Sequence, residues 1–191
     1  MAKTHPRQKA LTEAANSSEH ERVPQSESAV PTTSLHELVA FTPKDRVYAL
    51  GLAVNYLMAS PSFARQPFGH WSRVLAGQIN RGHYLFAVEN SKVVGFLGWS
   101  FAPKEKAEDW LTGRAGIPSN DSQAGEIMLI NAWQADSRKV VHFLLDQARR
   151  IGQDCEMVYA KRYRPDGSFR PLRLAVNDFV PTHVGPEISQ E

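Results

Sequence analysis

With Cys155 as its sole cysteine, the chain cannot close an internal disulfide. That fits a reducing compartment and predicts a cytoplasmic protein. Net charge is scarce as well. A formal balance of +2 is too small to argue for nucleic acid or an anionic membrane surface, and no basic block is interleaved with aromatics. No apolar run reaches the length of a membrane span, and the N-terminus lacks an apolar signal core. Cys, His and carboxylate residues do not cluster at metal-ligand spacing, and no internal repeat is visible. These absences exclude a disulfide scaffold, a nucleic-acid binder, a membrane span and a metal centre.

Of the 191 residues, 42% are hydrophobic, enough for one core and not for two. Residues 1–34 contribute little to it. They are Ser, Thr, Glu, Ala, Pro and His with few large apolar side chains, so burial cannot offset their ordering entropy and a disordered tail is expected. One domain is expected over residues 35–180, then a loose tail over 181–191. A short helix is expected near residues 34–38.

The most apolar stretch is residues 83–101. Tyr84 to Val88 is apolar throughout, and Val93 to Phe101 is rich in β-branched and aromatic residues. Glu89-Asn90-Ser91-Lys92 between them reads as a turn in which Asn90 tolerates a left-handed backbone. Gly95 and Gly98 mark a bulge or a close approach. Such a hairpin needs cover. Val47, Leu50, Val54, Leu57 and Met58 recur at helical spacing before it, and Ser60-Pro61 ends that helix. A loop over residues 61–67 follows. Phe68, Trp71, Val74, Leu75 and Ile79 mark a second helix, closed by Arg81-Gly82. After the hairpin come a polar connection with a helical turn at residues 107–111 and a strand over 125–133. A helix over 138–151 is next, capped by Asp136 or Ser137. Strands over 155–160 and 169–176 flank a basic turn at 161–167.

Helix, helix, antiparallel meander and strand–helix–strand crossover are the layout of acetyltransferase-type (GNAT-type) α/β folds, with a mostly antiparallel sheet flanked by helices. In those folds the crossover helix begins where the donor's phosphates dock, because a helix N-terminus offers free N–H groups. Coenzyme A users place a glycine-rich turn there. Here the residues are Gln134-Ala135-Asp136-Ser137-Arg138, with no glycine and a carboxylate that repels pyrophosphate. That argues against a conventional coenzyme A site.

The motifs Met58-Ala59-Ser60-Pro61, Arg81-Gly82-His83-Tyr84-Leu85, Gly98-Trp99-Ser100, Gly125-Glu126 and Ala132-Trp133 resemble, at similar spacings over roughly residues 46–150, those of the toxin-activating lysine acyltransferases. The resemblance implies transfer of a fatty acyl group from acyl carrier protein to lysines of a protein substrate. It implies no bound cofactor and leaves room for a homodimer. Two departures stand out. Phe63 occupies the position of the family's essential histidine, and Ala132 that of its aspartate. Neither can take a proton from a lysine ammonium. His70 is the nearest replacement base and the expected catalytic residue. Phe63, Trp99, Ala132, Trp133 and Ser137 are the expected substrate-binding residues. His83, His142, Glu126 and Cys155 are simpler as strand-end, solvent-facing or small buried residues. By alternation Glu126 shares a strand face with Ala132, and the basic run Lys161-Arg162-Tyr163-Arg164 suits an acidic partner or plain solvent. Three readings follow: a protein-lysine acyltransferase with a divergent site, a catalytically silent relative that binds an acyl carrier or protein partner, and a small-molecule N-acetyltransferase using acetyl coenzyme A.

Overall fold

Two left-handed residues set the centre of the molecule. In the computed structural model, which describes residues 37–117, 122–164 and 166–176, Asn90 and Ser91 have φ of 51° and 60°. That pair makes the tight hairpin turn whose twist suits antiparallel strands. It joins β2 (Tyr84–Glu89) to β3 (Lys92–Ala102). The sheet has six strands in sequence order, β1-β2-β3-β4-β5-β6. The added strands are β1 (Val39–Phe41), β4 (Ile127–Ala135), β5 (Met157–Tyr163) and β6 (Phe169–Ala175). Every neighbouring pair is antiparallel except β4 and β5, which run parallel. The α/β sheet-and-helix layout expected from the sequence is thus present.

Among the described residues, five helices surround it: α1 (Arg46–Leu57), α2 (Pro61–Ala64), α3 (Phe68–Arg81), α4 (Lys104–Thr112) and α5 (Arg138–Ile151). Alternation along β2 and β3 sends successive side chains to opposite faces. Leu85, Ala87 and Leu97 meet α5 through Val140, Leu144 and Ala148. Tyr84, Phe86 and Phe96 meet α1 and α3 through Ala53, Leu57, Trp71 and Leu75. Fully burying each such aromatic or leucine is worth roughly 1.5–3 kcal/mol. A third cluster places Ala107 and Leu111 of α4 over Ile127, Leu129 and Tyr159.

The two β3 glycines allow helices to approach from both sides. A Cβ on Gly95 would stand 2.6 Å from Val140 Cγ1, and one on Gly98 2.5 Å from the Gln78 amide. The anticipated close approach is therefore by side chains of α5 and α3. Bulges occur nearby. Between Ala87↔Gly95 and Val88↔Val93 the register leaves Val94 over. Its carbonyl accepts from the Asp136 N–H at 3.0 Å and lies 2.8 Å from the Tyr56 hydroxyl. Between Gly98↔Ala132 and Trp99↔Ile130 the register leaves Asn131 over.

Several expectations change. Residues 37–38 are not helical and lead into strand β1, while the rest of that proposed helix and both tails lie outside the described residues. On α1 the buried residues are Ala49, Ala53 and Leu57, and Val47 is 83% exposed. The helix is apolar nearly all round, so small residues settle which face packs closest. The loop after Ser60 contains the single-turn α2, with Pro61 at its first position, where a missing N–H costs nothing. The turn expected at residues 107–111 is the longer α4. Lys161 to Tyr163 extend β5 rather than forming a turn, held by pairing with Phe169 to Pro171.

Candidate functional site

Pairing between β4 and β5 runs from Ile127↔Met157 to Ile130↔Ala160 and stops there. Beyond it β4 stays with β3, and β5 stays with β6. The parallel strands thus part, and a cavity of about 660 Å³ opens at the gap. Its walls are Asn131 to Gln134 on β4, Ala160 to Tyr163 on β5, one flank of α2 and α3, and Trp110, Gly116 and Ile117. That volume falls within the range of small-molecule sites.

Phe63, His70, Ala132 and Trp133 all line this cavity. Phe63 comes from α2 and packs edge-on against Trp71, ring centroids 6.4 Å apart. Ala132 is buried in the same cluster. The two positions anticipated as emptied of histidine and aspartate thus line one cavity, where both are apolar. His70 is exposed on the first turn of α3, its ring without a hydrogen-bond partner among the described residues. Among the described residues, no carboxylate orients it.

The other two expected residues stand elsewhere. Trp99 is buried on the α5 face, stacked on His83 with centroids 5.9 Å apart, and does not line the cavity. Ser137 is the N-cap of α5, its hydroxyl accepting from Val140 N–H at 3.3 Å, and also lies outside the cavity. The reason for Trp99 is parity: from Gly95 onward, past the Val94 bulge, the odd positions of β3 face α5. Glu126 precedes β4 rather than lying on it, and its carboxylate accepts from the Lys104 N–H at 2.8 Å. The Asn131 bulge breaks the alternation that put Glu126 and Ala132 on one face.

Behind the cavity wall lies a polar relay that pattern reading did not single out. Gln78 is fully buried. Its Nε2 donates to Asn131 Oδ1, and Asn131 Nδ2 donates to Ser100 Oγ at 3.3 Å. Gln78 Oε1 has no partner among the described residues. A glutamine three residues after Leu75, on the apolar face of α3, was the available signal. A buried amide there needs partners, and the bulged Asn131 supplies one.

Charge in the cavity is of one sign. Arg73, Arg81, Lys161 and Arg162 line it, and no Asp or Glu among the described residues does. Burial pushes both the Arg81 guanidinium and the Lys161 ammonium down. Lys161 Nζ sits over the rings of Trp110 and Phe169, 4.6 Å from each centroid, which offsets part of that desolvation. Arg81 Nε is buried with no hydrogen-bond partner among the described residues. His83 is held down by burial first and by the neighbouring Arg81 charge second. Cys155 lies outside the cavity, and burial raises its thiol, so it is no thiolate nucleophile.

No protein-family model matches the sequence, and no curated protein matches it. Solved structures do resemble it. A mutant apo form of agmatine N-acetyltransferase has 12% identity over 67% of this chain and 77% of its own, with a TM-score of 0.48. The polyamine N-acetyltransferase of Drosophila melanogaster has 11% identity over the same shares, again at 0.48. The loading GNATL domain of CurA from Lyngbya majuscula has 14% identity over 69% of each chain, at 0.42.

Just before and at the start of α5 the chain makes contacts of its own. The Asp136 N–H is taken by Val94, Ser137 caps Val140, and Asp136 Oδ1 lies 2.8 Å from the Tyr56 hydroxyl. Burial, then the Asp136 carboxylate, pushes the Tyr56 phenol far up, so it stays a neutral donor. Among the described residues, no group of three or more His, Cys, Asp or Glu could hold a metal. None of their helices is long and apolar enough to cross a membrane.

Proposed function

We propose that this chain is an acyltransferase of the protein-lysine type, taking a fatty acyl group from acyl carrier protein. The observation that carries the reading is the cavity at the β4–β5 parting, which gathers Phe63, Ala132, Trp133 and His70. Its apolar wall suits an acyl chain, since each buried methylene is worth about 0.8 kcal/mol. His70 at its edge is the base. It takes the proton of the lysine ammonium, and the freed amine attacks the thioester carbonyl carbon. A C–N bond forms, the C–S bond breaks, the departing thiolate receives the proton back from His70, and the second proton, shed by the new amide nitrogen, passes to solvent. A carrier protein rather than free coenzyme A as donor is supported by the capped, carboxylate-bearing start of α5, which leaves little for a pyrophosphate. The same feature disfavours small-molecule acetylation from acetyl coenzyme A.

A second reading, a silent relative that binds an acyl carrier or protein partner, is favoured by one observation: among the described residues no carboxylate orients the His70 ring. Mass spectrometry of a co-expressed protein substrate separates the two. Wild type is expected to acylate lysine, and His70→Ala to lose at least about a hundredfold in rate, the usual contribution of a general base. Acylation undiminished in His70→Ala removes His70 from the mechanism. No acylation by wild type, with activity gained by Phe63→His/Ala132→Asp, decides for the silent binder.

A further inference from the structure

A plain alkyl chain fits only part of this cavity. His70 and Arg81 both line it, yet they sit three turns apart on α3, about 16 Å along the helix axis. Near His70 stand Trp71, its neighbour on α3, and Phe63, packed edge-on against Trp71. Toward Arg81 the lining turns to Ser100, Ser122 and Asn131, with Gln78 behind. Arg81 Nε is buried there unpartnered, and no Asp or Glu among the described residues lines the cavity to neutralise it. Arg81 as a whole is half-buried, and a methyl-ended chain brought against a guanidinium with no counter-charge would displace its water and return nothing.

We infer that the cavity takes a chain bearing an anionic group, a carboxylate in the simplest case, which pairs with Arg81. The inference rests on the acyl-site reading above. With the reactive carbonyl at His70, the anion is the end of the chain remote from the thioester, and the acyl group is of the ω-carboxy class. The planar guanidinium pairs with a carboxylate through two parallel N–H donors, while Ser100 and Asn131 offer neutral hydrogen bonds beside it.

The test is equilibrium binding of decanoate and of uncharged decanamide to the full chain, as wild type, Arg81→Met and Arg81→Lys, each checked for a cooperative thermal unfolding transition. Wild type is expected to favour decanoate on the order of tenfold or more, with the preference shrinking as salt is added. Arg81→Met should bind both probes alike, and Arg81→Lys should keep part of the preference. Equal binding by wild type, no binding of either probe, or a preference that survives Arg81→Met overturns the inference. If Arg81→Met does not fold, the wild-type preference and its partial retention in Arg81→Lys still decide. Lysine acylation without any carboxylate preference sinks the anion assignment alone. A carboxylate preference without acylation sinks the transferase reading alone.

Discussion

At the scale of single residues, the sharpest constraint is the contact between Gly98 and Gln78. A Cβ at Gly98 would stand 2.5 Å from Gln78 Oε1, and Gln78 is fully buried and tied to Asn131. The amide cannot swing aside without giving up that bond. Gly98→Ala is expected to destabilise by about 1–3 kcal/mol, the usual cost of overpacking. In a Gln78→Ala background most of that cost should vanish, because the obstacle is gone. Urea unfolding of the two single variants and the double gives the coupling energy directly. Simple additivity would mean that Gly98 answers to backbone conformation rather than to Gln78. The same pair bears on the cavity. Asn131 is held toward Ser100 by Gln78, so loosening Gln78 should also weaken whatever the cavity binds.

Among elements, α1 offers the cleanest case of a local signal. Asp45 precedes its first turn and accepts from the Tyr48 N–H at 2.8 Å. Asp45→Ala should cost about 1 kcal/mol and Asp45→Asn only a few tenths, read as a shift in unfolding midpoint; equal losses would point to the charge rather than the cap. The Asp45 cap was not picked out in the sequence, but Gly82 closing α3, Ser137 capping α5 and the β2–β3 hairpin were legible, because each depends on neighbours in sequence. What escaped depended on distant partners. β1 is three residues long and is a strand only because Phe86 to Val88 lie beside it. The Asn131 bulge could not be read, since alternation does not announce an extra residue, and with it went the facing of Glu126. Phe63, His70, Ala132 and Trp133 were brought to one place as a group. Trp99 was not, because one position of parity sends it to α5. Arg81 and Lys161 became site residues only when α3 and β5 were set on either side of one gap.

At the scale of the whole molecule, Glu108 ties three elements together. Tyr159 of β5 donates to its Oε1 at 2.6 Å and Arg173 Nε of β6 at 2.9 Å, while Glu108 itself belongs to α4. The Arg173 guanidinium first, and the Tyr159 hydroxyl second, hold the carboxyl down from its ordinary 4.5 to about 2. A carboxyl depressed in the folded state adds stability that is complete above 4.5 and fades as pH falls toward 2. Glu108→Gln should therefore be less stable than wild type at neutral pH, by no more than about 1 kcal/mol for so exposed a pair. The two unfolding curves should converge across that acid window; profiles that stay parallel would show the clasp contributes nothing. One consequence of the sheet order concerns time rather than space. Because β1 to β6 stand in space as they follow in the chain, each strand emerging during synthesis finds its partner already made. Four of the five junctions are antiparallel: β2–β3 and β5–β6 close through short turns, while β1–β2 and β3–β4 wait for the helices between them, α1 to α3 and α4. The fifth, β4 to β5, must wait for α5 to cross the sheet, since a parallel partner cannot be reached by a short turn. The cavity lies at that junction, so a nascent chain carries the hairpin and its helices well before it has anywhere to hold a ligand.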